Sequence, residues 1–128
     1  MSVPRLKLCF DIGRGSPELV DIPTLLMTHG HLDHSAGIPY HISQRCLRRL
    51  PAVKIYTPPE LEPPLRKILQ LWCEIEGYQT DYELIPLDYE TTYPLSGNLR
   101  FQAIPSIHRV PSNGYTILES VRKLKDEV

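Results

Sequence analysis

Two short apolar runs near the start of the chain predict buried β-strands. Residues 6–12 end in the turn sequence Gly13-Arg14-Gly15-Ser16-Pro17, and residues 23–28 form an almost continuous apolar segment. A run of this kind is typical of a strand that is covered on both faces of a sheet. A third run, residues 53–57, is closed by two prolines and predicts another strand.

Two other segments repeat apolar residues at the spacing of an α-helix. Residues 39–50 predict the first helix, with Pro39 in its first turn, and residues 64–75 predict the second, which Gly77 would end. The predicted apolar stripes are Ile42, Cys46, Leu47 and Leu50 in the first helix and Leu65, Ile68, Leu69, Trp72 and Ile75 in the second. The arginines away from the first stripe are expected on a solvated helix face, with RNA phosphate contacts as the alternative, and they are Arg45, Arg48 and Arg49.

The last third of the chain changes to short strands separated by turn signals. We predict strands over residues 82–87, 99–104 and 115–121, with turns at residues 96–98 and 111–114. Because strands and helices intermix along the chain, the fold class is α/β, with helices layered on a sheet. The 128 residues are enough for one compact domain and argue against two.

Composition and charge place the chain among ordinary globular proteins. Hydrophobic residues make up 41% and charged residues 23%, and the formal net charge of −1 gives no sign of a chain-wide basic surface for nucleic acid. We expect no membrane contact, because no apolar run reaches the roughly 18 residues of a membrane span. The start of the chain lacks the pattern of a secretory signal, so the expected location is the cytoplasm. Three scattered cysteines, Cys9, Cys46 and Cys73, suit buried free thiols in a reducing compartment, with metal ligation by one of them as the alternative.

The segment Thr28-His29-Gly30-His31-Leu32-Asp33-His34 carries the candidate chemistry and follows directly on a predicted strand. If the chain stays extended, His29, His31 and Asp33 project to one side, and the backbone must turn at His34 to aim that ring at the same place. Like-charged imidazoles have little other reason to crowd together, so we interpret these four residues as metal ligands, in an arrangement that suits two neighbouring metal positions better than one. Imidazole with a carboxylate favours zinc, with Fe²⁺ and Mn²⁺ as competitors.

Taken with its flanking residues, this segment resembles the metallo-β-lactamase superfamily, near its ribonuclease Z branch. Phe10-Asp11-Ile12-Gly13 precedes it, and Ser35-Ala36-Gly37-Ile38-Pro39 follows it. The order strand, F-D-x-G, strand, T-H-x-H-x-D-H and then G-[IL]-P opening a helix is typical of ribonuclease Z-like members. The resemblance covers about residues 6–121. It implies an αββα sandwich, of which residues 1–128 would be one domain of about half the family's size, incomplete at both ends.

The resemblance also assigns roles to single residues. Ribonuclease Z-like proteins carry a further histidine ahead of a G-Y pair, and here His108 precedes Gly114-Tyr115. The zinc ligands that this implies are His29, His31 and His108 for one ion and Asp33 and His34 for a second. Asp33 is also our candidate for the catalytic group that steers the attacking water or accepts its proton.

Other residues near the cluster receive smaller roles. His41 has no counterpart in the family pattern, so we expect a helix or outer-sphere residue rather than a ligand. Arg14, between two glycines near the end of a predicted strand, is a better-placed candidate for a phosphate contact than the arginines of the first helix. Tyr40 and Tyr115 are expected in core packing, with a place along the cleft as the alternative.

The function that the resemblance implies is a metal-dependent hydrolase acting on RNA phosphodiester bonds, of the tRNA 3′-end processing type. The family's bridging aspartate, usually in a G-D-[TS] setting, and its final histidine have no counterpart here, and no histidine follows His108. We therefore expect at most one tightly held metal ion, and low or absent activity from this chain alone. The second hypothesis is a non-catalytic metal-binding or interaction domain derived from the same fold. Half a sandwich would expose apolar surface, so we also expect a homo-oligomer.

Overall fold

The structure is a computed structural model, and it describes residues 2–3, 6–95, 97–106 and 112–119. A single turn of 3₁₀ helix at Pro17–Leu19 follows the first glycine-rich turn. The strands are β1 (Ser2–Val3), β2 (Leu8–Phe10), β3 (Thr24–Leu26), β4 (Val53–Thr57), β5 (Tyr82–Pro86), β6 (Tyr93–Pro94), β7 (Leu99–Ser106) and β8 (Ser112–Glu119), and the helices are α1 (Leu32–Ser35), α2 (Ile38–Leu47) and α3 (Glu62–Glu76).

The strands form two sheets. The first sheet has the order β1-β2-β3-β4-β5, in which β2 to β5 are parallel and β1 is antiparallel to β2. Parallel neighbours need a crossover connection, and α2 links β3 to β4 while α3 links β4 to β5. The second sheet is antiparallel, with the order β6-β7-β8.

The first sheet lies between the helices and the second sheet. Along β3 and the residue after it, Leu25 and Met27 join the core under the helices, whereas Leu26 joins the core shared with the second sheet. Both faces of this strand are covered, which confirms the interpretation of its continuous apolar run. The described residues thus form three layers of an αββα sandwich, and the α/β prediction is confirmed.

The helix limits agree with the prediction to within three residues, but the apolar stripe of α3 was partly wrong. Its buried residues are Leu65, Leu69 and Cys73, one turn apart, while Ile68 and Trp72 are exposed. The helix packs against β5, which is the edge strand of the first sheet, so only a narrow side of α3 is covered. Leu47 of α2 and Ile75 of α3, which were also predicted in the apolar stripes, are exposed, and so are Tyr40, Leu71 and Tyr78.

The turn predicted at residues 111–114 was also wrong in its placement. Residues 112 to 114 belong to β8, because Ser112 pairs with Ser106 and Gly114 pairs with Ile104. The pairing of β7 with β8 therefore continues beyond the residues whose alternating apolar pattern predicted the two strands. The connection itself, residues 107–111, lies outside the described residues.

The position of Arg45 contradicts the predicted solvated face, although Arg48 and Arg49 are exposed as expected. Arg45 is only 3% exposed, and its guanidinium donates to the carbonyls of Val20, at 2.7 Å, and Pro51, at 2.9 Å. Loop carbonyls that face the core need donors. A long side chain with several N–H groups supplies them, and a hydrophobicity pattern does not reveal this need.

His41 lies one turn before Arg45 on the same buried side of α2. Its Nε2–H donates to the carbonyl of Ile22 at 3.1 Å, which makes it a structural helix residue. Burial lowers the pKa of His41, and the nearby Arg45 charge lowers it further, while the bond to Ile22 acts in the opposite direction. The folded state therefore favours the neutral imidazole.

We expect the free energy of unfolding to fall in acid partly because of His41. The unfolded chain takes up a proton on this histidine near pH 6.5, whereas the folded chain resists protonation until a lower pH. The neutral ring thus contributes stability that is present above about pH 6.5 and is lost as the pH falls below it. His41→Gln keeps a donor for Ile22 but cannot be protonated, so urea unfolding between pH 5 and 8 should show a weaker loss in the variant. An identical pH dependence would contradict this role.

The cysteines agree with the expectation of free thiols. Cys9, Cys46 and Cys73 are free thiols, of which Cys46 is only partly buried. Within the described ranges, no helix combines the length and apolar character that a bilayer crossing would require.

Candidate metal centre

The candidate ligands lie at the carboxyl ends of two adjacent parallel strands. β2 leads into Asp11, and its neighbour β3 leads through Met27 into Thr28 and His29. Ligands in open α/β sheets bind outside this end of the strands. The pairing of β2 with β3 therefore brings residues 11 and 28 together although they are far apart in the sequence.

The segment that follows is a helical turn, which corrects the predicted extended row. Helix α1 begins directly after His31, and the Ala36 N–H closes it on the Leu32 carbonyl at 2.9 Å. The Ser35 hydroxyl lies within hydrogen-bonding distance of the carbonyls of Gly30, at 3.2 Å, and His31, at 3.1 Å. Asp33 lies in the first turn, where a carboxylate is favoured by the helix N-terminus.

Within this turn, His29 lies close to His31 and His34, and Asp33 lies beside His34. The ring centroid of His29 is 4.1 Å from that of His34 and 4.8 Å from that of His31. Asp33 Oδ2 is 3.6 Å from His34 Nε2, and the Asp33 side chain is 80% exposed. His31 is exposed as well, whereas His29 and His34 are half-buried. His108, the remaining predicted ligand, lies outside the described residues.

Asp11 is the residue at this site to which the sequence analysis gave no role. One carboxylate oxygen accepts from the Thr28 N–H at 2.7 Å. The other accepts from the Thr28 hydroxyl at 2.5 Å and lies 3.0 Å from His34 Nδ1. Its backbone φ of 55° turns the chain sharply after β2, a conformation that aspartate tolerates better than most residues.

The chemistry of this cluster fits a divalent metal. Among the described residues, Asp11, His29 and His34 each offer a ligand atom, and these atoms lie within 4.8 Å of one another. Burial lowers the pKa of His29, and His34 lowers it further, against the opposing charge of Asp11. A neutral imidazole keeps a lone pair for a metal. Nitrogen and carboxylate donors at this spacing suit zinc or a similar ion.

A close backbone contact supports the turn from behind. The carbonyl of His34 accepts the N–H groups of Ile12 and Gly13 at 3.0 and 3.1 Å, and the Gly37 N–H donates to the Gly13 carbonyl at 2.7 Å. A Cβ on Gly37 would lie 2.3 Å from the backbone nitrogen of Gly15. The glycine of the G-[IL]-P motif is therefore required by the approach of the 13–15 loop. Arg14 is exposed in this loop, and its phosphate contact stays a prediction.

The expectation of core packing is confirmed for Tyr115 but not for Tyr40. Tyr115 packs against Phe10 and Phe101 and donates from its hydroxyl to the Met27 carbonyl at 2.5 Å. It thus joins the second sheet to Met27, two residues before His29. The expectation of core packing was wrong for Tyr40, which is exposed and lines a shallow cavity between α2 and α3.

Comparison with known proteins identifies the family. No protein-family model matches the chain. The chain is 34% identical over 125 residues to the chloroplastic tRNase Z of Arabidopsis thaliana, which covers 98% of this chain and 35% of that protein. It is 33% identical over 124 residues to the nuclear ribonuclease Z of Triticum aestivum, which covers 97% of this chain and 70% of that protein.

Solved structures share the fold. The short form of human tRNase Z matches 88% of this chain and 54% of its own, with a TM-score of 0.64 and 24% identity. The metallo-β-lactamase fold protein YhfI from Bacillus subtilis matches 87% of this chain and 45% of its own, with a TM-score of 0.62 and 18% identity. The chain spans between 35% and 70% of the length of the two plant relatives. The chain thus shares its fold with a metallo-β-lactamase fold protein, and on its identity to the nuclear ribonuclease Z of Triticum aestivum it belongs to the ribonuclease Z family.

Proposed function

We propose that this chain contributes the metal-binding part of a hydrolase that cleaves RNA phosphodiester bonds in tRNA 3′-end processing. The observation that supports the proposal is that, at the carboxyl end of the first sheet, His29 lies close to His31 and His34, and Asp33 lies beside His34. The names of the relatives, tRNase Z and ribonuclease Z, support the substrate class.

We propose zinc as the metal, with Mn²⁺ or Fe²⁺ as competitors. His29 and His31, with His108, would hold one ion, and Asp33 and His34 would hold a second. Such an ion, when bound, supplies positive charge that polarises a phosphoryl oxygen and makes water more acidic. The family assignment and the nitrogen-rich donor set support zinc.

The residues of this chain would then handle the proton and the substrate. The exposed carboxylate of Asp33 is open to solvent beside His34 Nε2, which supports a role for it in accepting a proton from an attacking water. Arg14 is exposed in the loop whose Gly13 N–H bonds to the His34 carbonyl. A guanidinium at this position would neutralise one substrate phosphate.

We also propose a setting for this unit. Residues 1–128 would act as one structural unit that corresponds to part of the family's domain, which the partial coverage of the relatives supports. The exposed apolar side chains of α3, such as Leu71 and Trp72, support a homo-oligomer, which light scattering would detect. The three free thiols support a reducing compartment, and we propose the cytoplasm.

Metal content and hydrolysis of the purified chain test the proposal. We expect one tightly bound zinc per chain and only weak, zinc-dependent hydrolysis of bis(p-nitrophenyl) phosphate and of a precursor tRNA. His31→Ala should lower zinc affinity by more than the roughly 10–100-fold that loss of an outer-sphere partner costs. Glu74→Gln, an exposed change on α3, is the control that should alter neither property. Tight zinc without hydrolysis would favour the non-catalytic metal-binding domain, and a chain that binds no divalent metal would contradict both hypotheses.

A further inference from the structure

We propose that Asp11 is a positioning residue that sets the tautomers of His29 and His34, and so prepares one ligand of each proposed metal site. The inference depends on the metal-binding role proposed above for these two histidines. It also depends on a short chain of hydrogen bonds that runs from Asp11 through Thr28 to His29, and directly from Asp11 to His34.

The first step concerns His34. An ionised carboxylate only accepts hydrogen bonds. Asp11 Oδ2 lies 3.0 Å from His34 Nδ1, so this nitrogen carries the proton. A neutral imidazole has one N–H, so its other nitrogen keeps the lone pair. His34 therefore presents Nε2, the atom that lies 3.6 Å from the Asp33 carboxylate, to a metal.

The second step concerns His29 and proceeds through a hydroxyl. The Thr28 hydroxyl has one proton and donates it to Asp11 Oδ2 at 2.5 Å. Its contact of 2.9 Å with His29 Nδ1 must then use an oxygen lone pair, so His29 donates from Nδ1. His29 also keeps its Nε2 lone pair for a metal. The Thr28 N–H, which donates to the other oxygen of Asp11 at 2.7 Å, holds the threonine in place.

One carboxylate thus serves two ligands that belong to different proposed metal ions. The Asp11 side chain is only 12% exposed, so water competes weakly for its oxygens. The alternative is that Asp11 itself binds a metal with His29 and His34, whose ligand atoms lie within 4.8 Å of it. That arrangement would require the Thr28 hydroxyl and His34 Nδ1–H to give up a carboxylate that already accepts three donors.

The two arrangements predict opposite ring protonation, which nitrogen NMR distinguishes. Long-range proton–nitrogen correlation of the metal-free, ¹⁵N-labelled chain at about pH 8 reports which ring nitrogen carries the proton. We expect the Nδ1–H form for both His29 and His34. In Asp11→Asn both rings should move toward the Nε2–H form, whereas in Thr28→Val only His29 should move, because the bond from His34 to Asp11 remains.

Zinc affinity gives a second readout. Competition with a chelating dye should show a loss of about 10–100-fold for Asp11→Asn, the usual effect of removing an outer-sphere partner. Asp21→Asn is the matched control, since Asp21 is exposed and pairs only loosely with Arg48 at 3.6 Å. It should change neither the ring tautomers nor zinc affinity.

Several outcomes would overturn the inference. Nε2–H rings in the unsubstituted metal-free chain would favour direct ligation by Asp11, and unchanged tautomers in a folded Asp11→Asn chain would remove its positioning role. If Asp11→Asn does not fold, Thr28→Val decides the relay through the hydroxyl. The tautomers are measured without metal or substrate. A chain that fails to hydrolyse RNA but shows Nδ1–H rings would therefore contradict the proposed function alone, and an active chain with Nε2–H rings would contradict this inference alone.

Discussion

Gly37→Ala is expected to lower the free energy of unfolding by about 3 kcal/mol, at the upper end of the usual cost of overpacking. The added Cβ would lie 2.3 Å from the Gly15 nitrogen and 2.5 Å from the Arg14 carbonyl carbon. Both are backbone atoms, so no side chain can rotate away to relieve the contact. Chemical denaturation followed by circular dichroism measures the change.

Gly77→Ala is the matched control for that result. Gly77 ends α3 with a φ of 81°, and no atom lies within 4 Å of a Cβ built there. Alanine at this position meets only backbone strain, of about 1–2 kcal/mol. Both substitutions change the entropy of the unfolded chain equally. If the two variants lost the same free energy of unfolding, the close contact between Gly37 and the 13–15 loop would not explain the loss in Gly37→Ala.

Phe101→Ala is expected to cost about 4 kcal/mol of stability, the usual size for truncating a buried phenylalanine. Phe101 is 0% exposed and lies where the two sheets meet. Its ring centroid is 4.8 Å from that of Tyr56 on the first sheet, and 5.3 and 5.8 Å from those of Tyr93 and Tyr115 on the second. Thermal and urea unfolding of the variant measure the loss.

Leu118→Ala provides the comparison for Phe101 within the same hairpin. Leu118 is 40% exposed in β8, in register with Arg100 of β7, so its truncation should cost less than about 1 kcal/mol. A similar cost for both variants would show that the second sheet is not held to the first through Phe101. If Phe101→Ala lost metal binding and Leu118→Ala did not, the packing of Phe101 would also support the position of residues 28–34.

The parts of the fold that the sequence predicted are those in which burial follows a simple period. β4 occupies Val53–Thr57 as predicted, and α3 ends at Gly77 as predicted. Arg45 could not be predicted because its burial depends on loop carbonyls that belong to residues 20 and 51. Partners of this kind are set by tertiary packing, which a hydrophobicity pattern along one helix does not contain.

The candidate site divides in the same way. The candidate ligands from His29 to His34 could be singled out because they lie in one short run with a shared chemistry. Asp11 could be connected to them only after β2 was known to pair in parallel with β3, which places it 2.7 Å from the Thr28 nitrogen. The helical turn at α1 was missed because four residues are too few to show a helical period. His108 stays a prediction.

The bond from the Tyr115 hydroxyl to the Met27 carbonyl shows that the position of residues 28–34 depends on contacts outside this segment. Met27 also donates its N–H to the Tyr56 carbonyl at 2.9 Å, so this residue is tethered from two sides. A designer who grafted residues 28–34 onto an unrelated parallel sheet would transfer the imidazoles without either tether. The recipient scaffold would have to supply its own brace beneath the loop before the rings could keep their spacing.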